Sequence, residues 1–102
     1  DLIAIFTVNG PNVIARIEAG GPVVVDYFGN GSIPIVEAMS IAILEAVVHG
    51  LDLCAATGVA TSSIPPGATR HTVDLLASMA EPVSFVEAAT GRVTTPVLPV
   101  LR

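Results

Sequence analysis

The chain has 102 residues, the length of one domain, and 52% of them are hydrophobic. Four arginines, no lysine and nine acidic residues leave a net charge of -5, which excludes the basic surface that nucleic acids and anionic membranes attract. Without lysine, Schiff-base chemistry and a phosphate-loop lysine are excluded as well. The single cysteine cannot form an internal disulfide, and no secretory signal is visible, so the expected compartment is the cytoplasm.

Alternating apolar residues predict three strands in the first part of the chain, residues 1–8, 13–18 and 23–28. Turn residues separate them, so we expect an antiparallel meander. In this register Asp26 lies on the face that covers a helix. A buried carboxylate there would take up a proton and could serve in acid–base chemistry, or it could cap the amides of the next turn.

The main helix is predicted over residues 34–50. Ser32 is a suitable N-cap, Pro34 suits the first helical position, and Gly50 supplies the residue that ends the helix. Its apolar residues occupy two sides, with Leu44 and Val47 assigned to opposite ones. A helix that is apolar on both sides needs a partner on each, which predicts a homo-oligomer.

The rest of the chain predicts a buried strand over residues 51–57, a loop over 58–71, a helix over 72–80, and strands over 82–87 and 93–100. Cys54 is expected to be a small core side chain rather than a nucleophile. Prolines near the end make residues 95–102 an edge strand or an arm that docks on a neighbouring subunit.

Together these elements predict an α/β protein of the α+β type, with the order β-β-β-α-β-α-β-β. A mixed, mostly antiparallel sheet forms one layer, and two helices on one of its faces form the other. We expect residues 1–102 to make a single domain.

The loop over residues 58–71 is the best candidate for a ligand site, because long loops inside compact domains are often functional. It ends in Arg70 and His71, at the predicted start of the second helix. An arginine and a histidine there could bind a small carboxylate or carbonyl compound. The alternative is an ordinary crossover loop.

Two resemblances involve known families. Residues 62–67, Ser-Ser-Ile-Pro-Pro-Gly, resemble the self-cleaving segment of pyruvoyl-dependent arginine decarboxylases, which implies that Ser63 would become the pyruvoyl group. The predicted element order, with residues 29–34 at the helix entrance, is similar to the formaldehyde-activating enzyme at the level of the fold. The chain is assigned to neither family, because fold likeness does not carry function.

Two functional hypotheses follow. The first is a small homo-oligomeric lyase, isomerase or hydrolase that acts on a small anionic metabolite at a subunit interface. In it Arg70 orients a carboxylate, and His71 or Asp26 moves a proton. The second is a non-catalytic assembly or accessory protein that uses its apolar faces. No cofactor or metal is expected, since the two histidines and the cysteine match no ligand spacing, and neither nucleic acid nor membrane is an expected partner.

Overall fold

The computed structural model describes residues 1–94, which are mostly helical. The chain divides into two compact units, Asp1–Met39 and the part that begins at Ser40. In chain order the elements are α1 (Leu2–Ala4), a π-helical turn (Ile5–Asn9), α2 (Gly10–Gly20), β1 (Val24–Asp26), β2 (Ser32–Pro34), α3 (Ile35–Thr57), a 3₁₀ turn (Thr61–Ser63), α4 (Pro66–Met79) and α5 (Pro82–Ala89).

The predicted α/β class is wrong. Within residues 1–94 the sheet consists of two short antiparallel strands, β1 and β2, rather than a mixed sheet covered by two helices. Val25 pairs with Ile33, and Asp26 pairs with Ser32. Residues 23–28 do contain a strand, but its partner is the segment that was expected to open the main helix.

The two strands predicted over residues 1–8 and 13–18 are instead one helical stretch, residues 2–20, called here the N-terminal helix. Asp1 starts it, because its Oδ1 accepts a hydrogen bond of 2.9 Å from the Ile3 amide. Pro11 has no amide hydrogen and cannot continue a regular α-helical ladder. The π-helical turn lies directly before the Gly10–Pro11 pair, and prolines and π-turns are both places where a helix departs from its regular ladder.

Helix α3 runs seven residues beyond its predicted end and includes the segment 51–57 that was predicted as a strand. Gly50 keeps a helical conformation, and the stop comes from Gly58, whose φ of 73° is in the left-handed region. The Gly58 amide donates to the Cys54 carbonyl at 2.9 Å. A glycine inside a helix costs stability but does not end it when the following residues favour the helix.

The last two helices also replace predicted irregular or extended segments. Helix α4 begins at Pro66, inside the predicted loop, and α5 occupies the predicted strand 82–87. Both begin with proline, which suits a first helical turn. The Glu81 carboxylate caps α5 by accepting from the Val83 and Ser84 amides at 3.1 and 2.8 Å. The expected edge strand or arm, residues 95–102, lies outside the described residues.

The buried residues of the described chain all belong to the second unit: Leu44, Val47 and Cys54 on α3, and Thr72 on α4. Leu44 and Val47 had been assigned to opposite sides of their helix. They are three positions apart, about 60° on a helical wheel, so one packed face accommodates both. No residue between 1 and 39 is buried.

Candidate functional site

Arg70 lies in the second turn of α4 and lines an open groove of about 440 Å³. Two hydroxyl-bearing residues and three apolar residues share the groove with it. No ion pair to Arg70 is formed within residues 1–94. The groove therefore combines one cation, hydrogen-bonding groups and an apolar wall; its other lining residues are Ser62, Ile64, Pro66, Thr69 and Val73.

His71 lies next to Arg70 in sequence but has a different neighbour. Its Nε2 is 3.1 Å from Oγ of Ser40 on α3, and His71 does not line the Arg70 groove. Consecutive residues of a helix point about 100° apart, which separates the two side chains. The structure thus gives Arg70 a groove, and gives His71 a hydrogen bond that ties α4 to α3.

Ser63 ends the short 3₁₀ turn and makes local contacts. Its hydroxyl donates to the Ala60 carbonyl at 2.8 Å and lies 3.8 Å from the buried Cys54 thiol. Among the described side chains, no histidine or carboxylate forms a hydrogen bond with Ser63. A serine needs an adjacent base or a self-processing environment to act as a nucleophile, and these contacts supply a turn instead.

Asp26 is exposed at the end of β1, rather than under a helix as its predicted register required. Its Oδ2 accepts a hydrogen bond of 3.2 Å from the Gly29 amide. This is the capping alternative from the sequence, although the amide belongs to Gly29 and not to residues 30–32, whose amides the sequence predicted as partners. Asp26 belongs to the first unit, whereas Ser63, Arg70 and His71 belong to the second.

The sequence reasoning missed a polar row on α3 formed by Glu45, His49 and Asp52. The His49 ring lies between the two carboxylates, with Nε2 3.2 Å from Glu45 and Nδ1 3.5 Å from Asp52. The spacing i, i+4, i+7 could have shown this row, but Asp52 had been placed on a strand. All three side chains are exposed, so the pairs contribute little to stability. The carboxylates contact opposite ring nitrogens, and in the described part of the chain no group of three or more His, Cys, Asp or Glu residues has an arrangement that could hold a metal ion.

Thr72 is a second feature that the sequence did not indicate. The residue is 4% exposed, and its Oγ1 has no hydrogen-bond partner in the described part of the chain. An unpaired buried hydroxyl costs about 1–3 kcal/mol. The unpaired Thr72 hydroxyl therefore lowers the stability of the second unit, whose core contains few buried residues.

The N-terminal helix carries the most continuous apolar surface of the first unit. Leu2 and Phe6 are 74% and 76% exposed, and Ile5, Val13 and Ile14 are about half exposed. The π-helical turn holds one more residue than an α-turn, so the residues after it lag by roughly 100°. With that lag, one stripe about 100° wide contains six side chains, called here the apolar stripe: Leu2, Ile5, Phe6, Val13, Ile14 and Ile17.

One helix in the described chain, α3, is long and apolar enough to cross a membrane. Its most apolar window has a mean hydropathy of 1.6, and 17% of that window is buried. The match rests on length and composition alone, and core helices of soluble proteins can meet both criteria. The expected cytoplasmic location and the expected absence of a membrane partner stay predictions.

Comparisons with known proteins give this chain no family. No protein-family description matches its sequence, and neither the curated proteins nor the solved structures contain a match. Its function has to be argued from its own residues.

Proposed function

We propose that this chain is an association module, which forms a homo-oligomer through the apolar stripe of its N-terminal helix. One observation carries the proposal: a helix of nineteen residues presents large apolar side chains that nothing in its own unit buries. Large contiguous apolar patches are rare on monomers and typically mark interaction surfaces. A standard interface uses about 20–30 residues from each partner, and the six side chains of the apolar stripe would form its apolar centre.

A second copy of the chain suits the apolar stripe better than a lipid surface does. Helices that lie on anionic membranes carry many Lys and Arg residues on their polar face. The N-terminal helix has one arginine, Arg16, against the acidic Asp1 and Glu18. Its small, slightly acidic polar face favours a protein partner, and pairing between copies would cover both stripes at once.

The test is the mass of the full chain in light scattering and sedimentation over a range of concentrations. We expect the wild type to associate and Phe6→Glu to shift it to monomer, because a charge would be buried in the interface. Thr7→Glu is the matched control, since position 7 lies outside the apolar stripe and should keep the wild-type mass. A wild-type chain that stays monomeric, or a Phe6→Glu variant that associates normally, would contradict the proposal.

A second candidate function, the binding of a small carboxylate, is favoured by the Arg70 groove. The guanidinium can bind a carboxylate through two hydrogen bonds, while Ile64, Pro66 and Val73 offer an apolar wall for a short side chain. Ser62 and Thr69 add hydroxyls at the same groove. A catalytic role for His71, Asp26 or Ser63 stays a prediction, because none of the three is among the residues that line the groove.

The probe for this candidate is isovalerate, a branched monocarboxylate, with neutral isovaleramide as its comparison. In calorimetric titration Arg70→Gln should weaken isovalerate binding about tenfold, the loss typical of a charged hydrogen-bonding partner. Arg92→Gln is the control, because Arg92 lies beyond α5 and does not line the groove. Equal binding of acid and amide, or no effect of Arg70→Gln, would exclude the site.

A further inference from the structure

When two copies of the chain pair through their apolar stripes, the two helices also have a preferred orientation. We infer that two copies pair antiparallel along the apolar stripe, with the two-fold axis at Gly10. This inference rests on the proposed self-association and adds the register, the contacting residues and the orientation.

The apolar stripe has nearly the same outline when it is read from either end. Leu2, Ile5 and Phe6 precede Gly10, and Ile17, Ile14 and Val13 follow it in mirrored order. The extra residue of the π-helical turn offsets the one-residue difference between the two halves. Ile5 and Val13 lie on one flank of the stripe, and Phe6 and Ile14 lie on the other, so an antiparallel pair brings Ile5 against Val13 and Phe6 against Ile14 of the second copy. Leu2 meets Ile17 near the middle of the stripe. A self-complementary surface of this kind is what a two-fold interface requires.

Gly10 suits the point where two helices cross. It is helical, with φ -55° and ψ -56°, and a Cβ atom built on it would meet nothing within 4 Å. Its conformation therefore does not require glycine, and its own unit does not crowd it. Small residues at helix crossings let the two backbones approach closely. We assign this role to Gly10.

A groove beside the second half of the helix provides space for the side chains of the other copy. It measures about 280 Å³, and most of its lining is apolar side chains from α2, from β1 and the residue before it, and from the first residue of α3. Antiparallel pairing places the exposed Leu2 and Ile5 of the second copy over Ile17 and Val13, at the edge of this groove. The lining residues are Val13, Arg16, Ile17, Gly20, Val23, Val25 and Ile35.

Charge favours the antiparallel orientation over the parallel one. Asp1 and Arg16 lie on the same flank of the apolar stripe when the π-helical turn is counted. In an antiparallel pair the same flanks of the two helices face each other, so Arg16 of each copy approaches Asp1 of the other. A parallel pair would bring different flanks together and lose both contacts. Exposed ion pairs add little affinity, but they select orientation.

Disulfide cross-linking of the full chain tests the register. Gly10→Cys should cross-link to itself under mild oxidation, and Leu2→Cys mixed with Ile17→Cys should give a mixed dimer. Leu2→Cys alone should stay uncross-linked, because antiparallel pairing holds its two copies apart. The wild type is the control for the buried Cys54. If Leu2→Cys cross-links to itself more readily than to Ile17→Cys, the antiparallel register is wrong.

A second variant avoids the added thiols. Gly10→Leu should raise helicity in circular dichroism, because leucine is a better helix former, yet it should weaken association by keeping the two backbones apart. Undiminished association of Gly10→Leu would overturn the close crossing at Gly10. A wild-type chain that associates but violates the cross-linking pattern removes the register alone, whereas a monomeric wild type removes the proposed function as well.

Discussion

The N-terminal helix and α3 have similar local design and opposite burial. Each contains a glycine in its interior, and each is followed by a glycine of positive φ, Gly21 at 63° and Gly58 at 73°. The first helix has no buried residue, whereas α3 buries three. Local sequence thus forms and ends both helices, while burial depends on a later segment that packs on the helix.

For α3 the later segment is the chain from the 3₁₀ turn through α4. Ile64 reaches within 3.7 Å of the position where a Gly50 Cβ would stand, and His71 is hydrogen-bonded to Ser40. The first unit offers its helix a two-stranded hairpin and a groove, which leave the apolar stripe exposed. The second unit thus buries part of its own helix, whereas the first unit leaves the apolar stripe of its helix exposed.

The largest expected effect breaks the internal core of the second unit. Leu44→Ala should lower the free energy of unfolding by about 3 kcal/mol, through lost burial and a residual cavity. Leu53→Ala on the same helix is the matched control, since Leu53 is 65% exposed and Leu44 is 7% exposed. Urea denaturation should show a change within about 0.5 kcal/mol for the control. Equal effects of the two substitutions would mean that α3 has no buried side.

A medium effect tests the assignment of the helix end. Gly50→Ala should stabilise the protein by about 0.5–1 kcal/mol, because alanine favours the helix and its Cβ would meet Ile64 at ordinary contact distance. Gly58→Ala should destabilise it by about 1 kcal/mol, because alanine is strained at positive φ. Thermal denaturation compares the two variants directly. If Gly50→Ala were less stable than Gly58→Ala, the helix would end at Gly50, as the sequence predicts.

The smallest effect concerns the cap of α5 and depends on pH. The hydrogen bonds from Ser84, and then from Val83, lower the pKa of Glu81 below its usual 4.5. A lowered folded-state pKa stabilises the fold above the unfolded value, and this contribution is lost as pH falls through the lower folded pKa. Glu81→Gln should therefore reduce stability slightly at neutral pH and flatten its dependence on pH below about 4.5. Parallel wild-type and variant curves across that range would contradict the role of the cap.

The sequence predicted some boundaries and missed others for identifiable reasons. It located the strand near residues 24–26 and a helix beginning close to residue 35. Alternation of β-branched and small residues over residues 1–18 favoured strands, but these residues form a helix. A short apolar run fits either a strand or a helix, so its pattern does not distinguish the two. The sequence predicted that Gly50 ends the main helix, but Gly58 does so in the structure. Both glycines follow residues that a helix tolerates, and the sequence alone does not show which of them adopts a positive φ.

The roles predicted for the site residues stay predictions, but the structure shows where those residues lie. Arg70 was chosen from the sequence and does line a groove, but its pairing with His71 depended on a loop that is instead a helix. Asp26 was expected to be buried because of a register that the structure replaces. The row of Glu45, His49 and Asp52 became visible only when the helix extended past Gly50. Each of these errors follows from an error in secondary structure rather than from the choice of residue.

By itself the sequence determined the excess of apolar residues, the scarcity of positive charge and the glycine and proline positions where elements can begin or end. Those properties belong to individual residues and their neighbours along the chain. Only the tertiary structure decided which apolar residues are covered, because coverage depends on segments far apart in sequence. Leu44 lies in a core because α3 has a packing partner in its own unit, and Phe6 lies exposed because the N-terminal helix has none there.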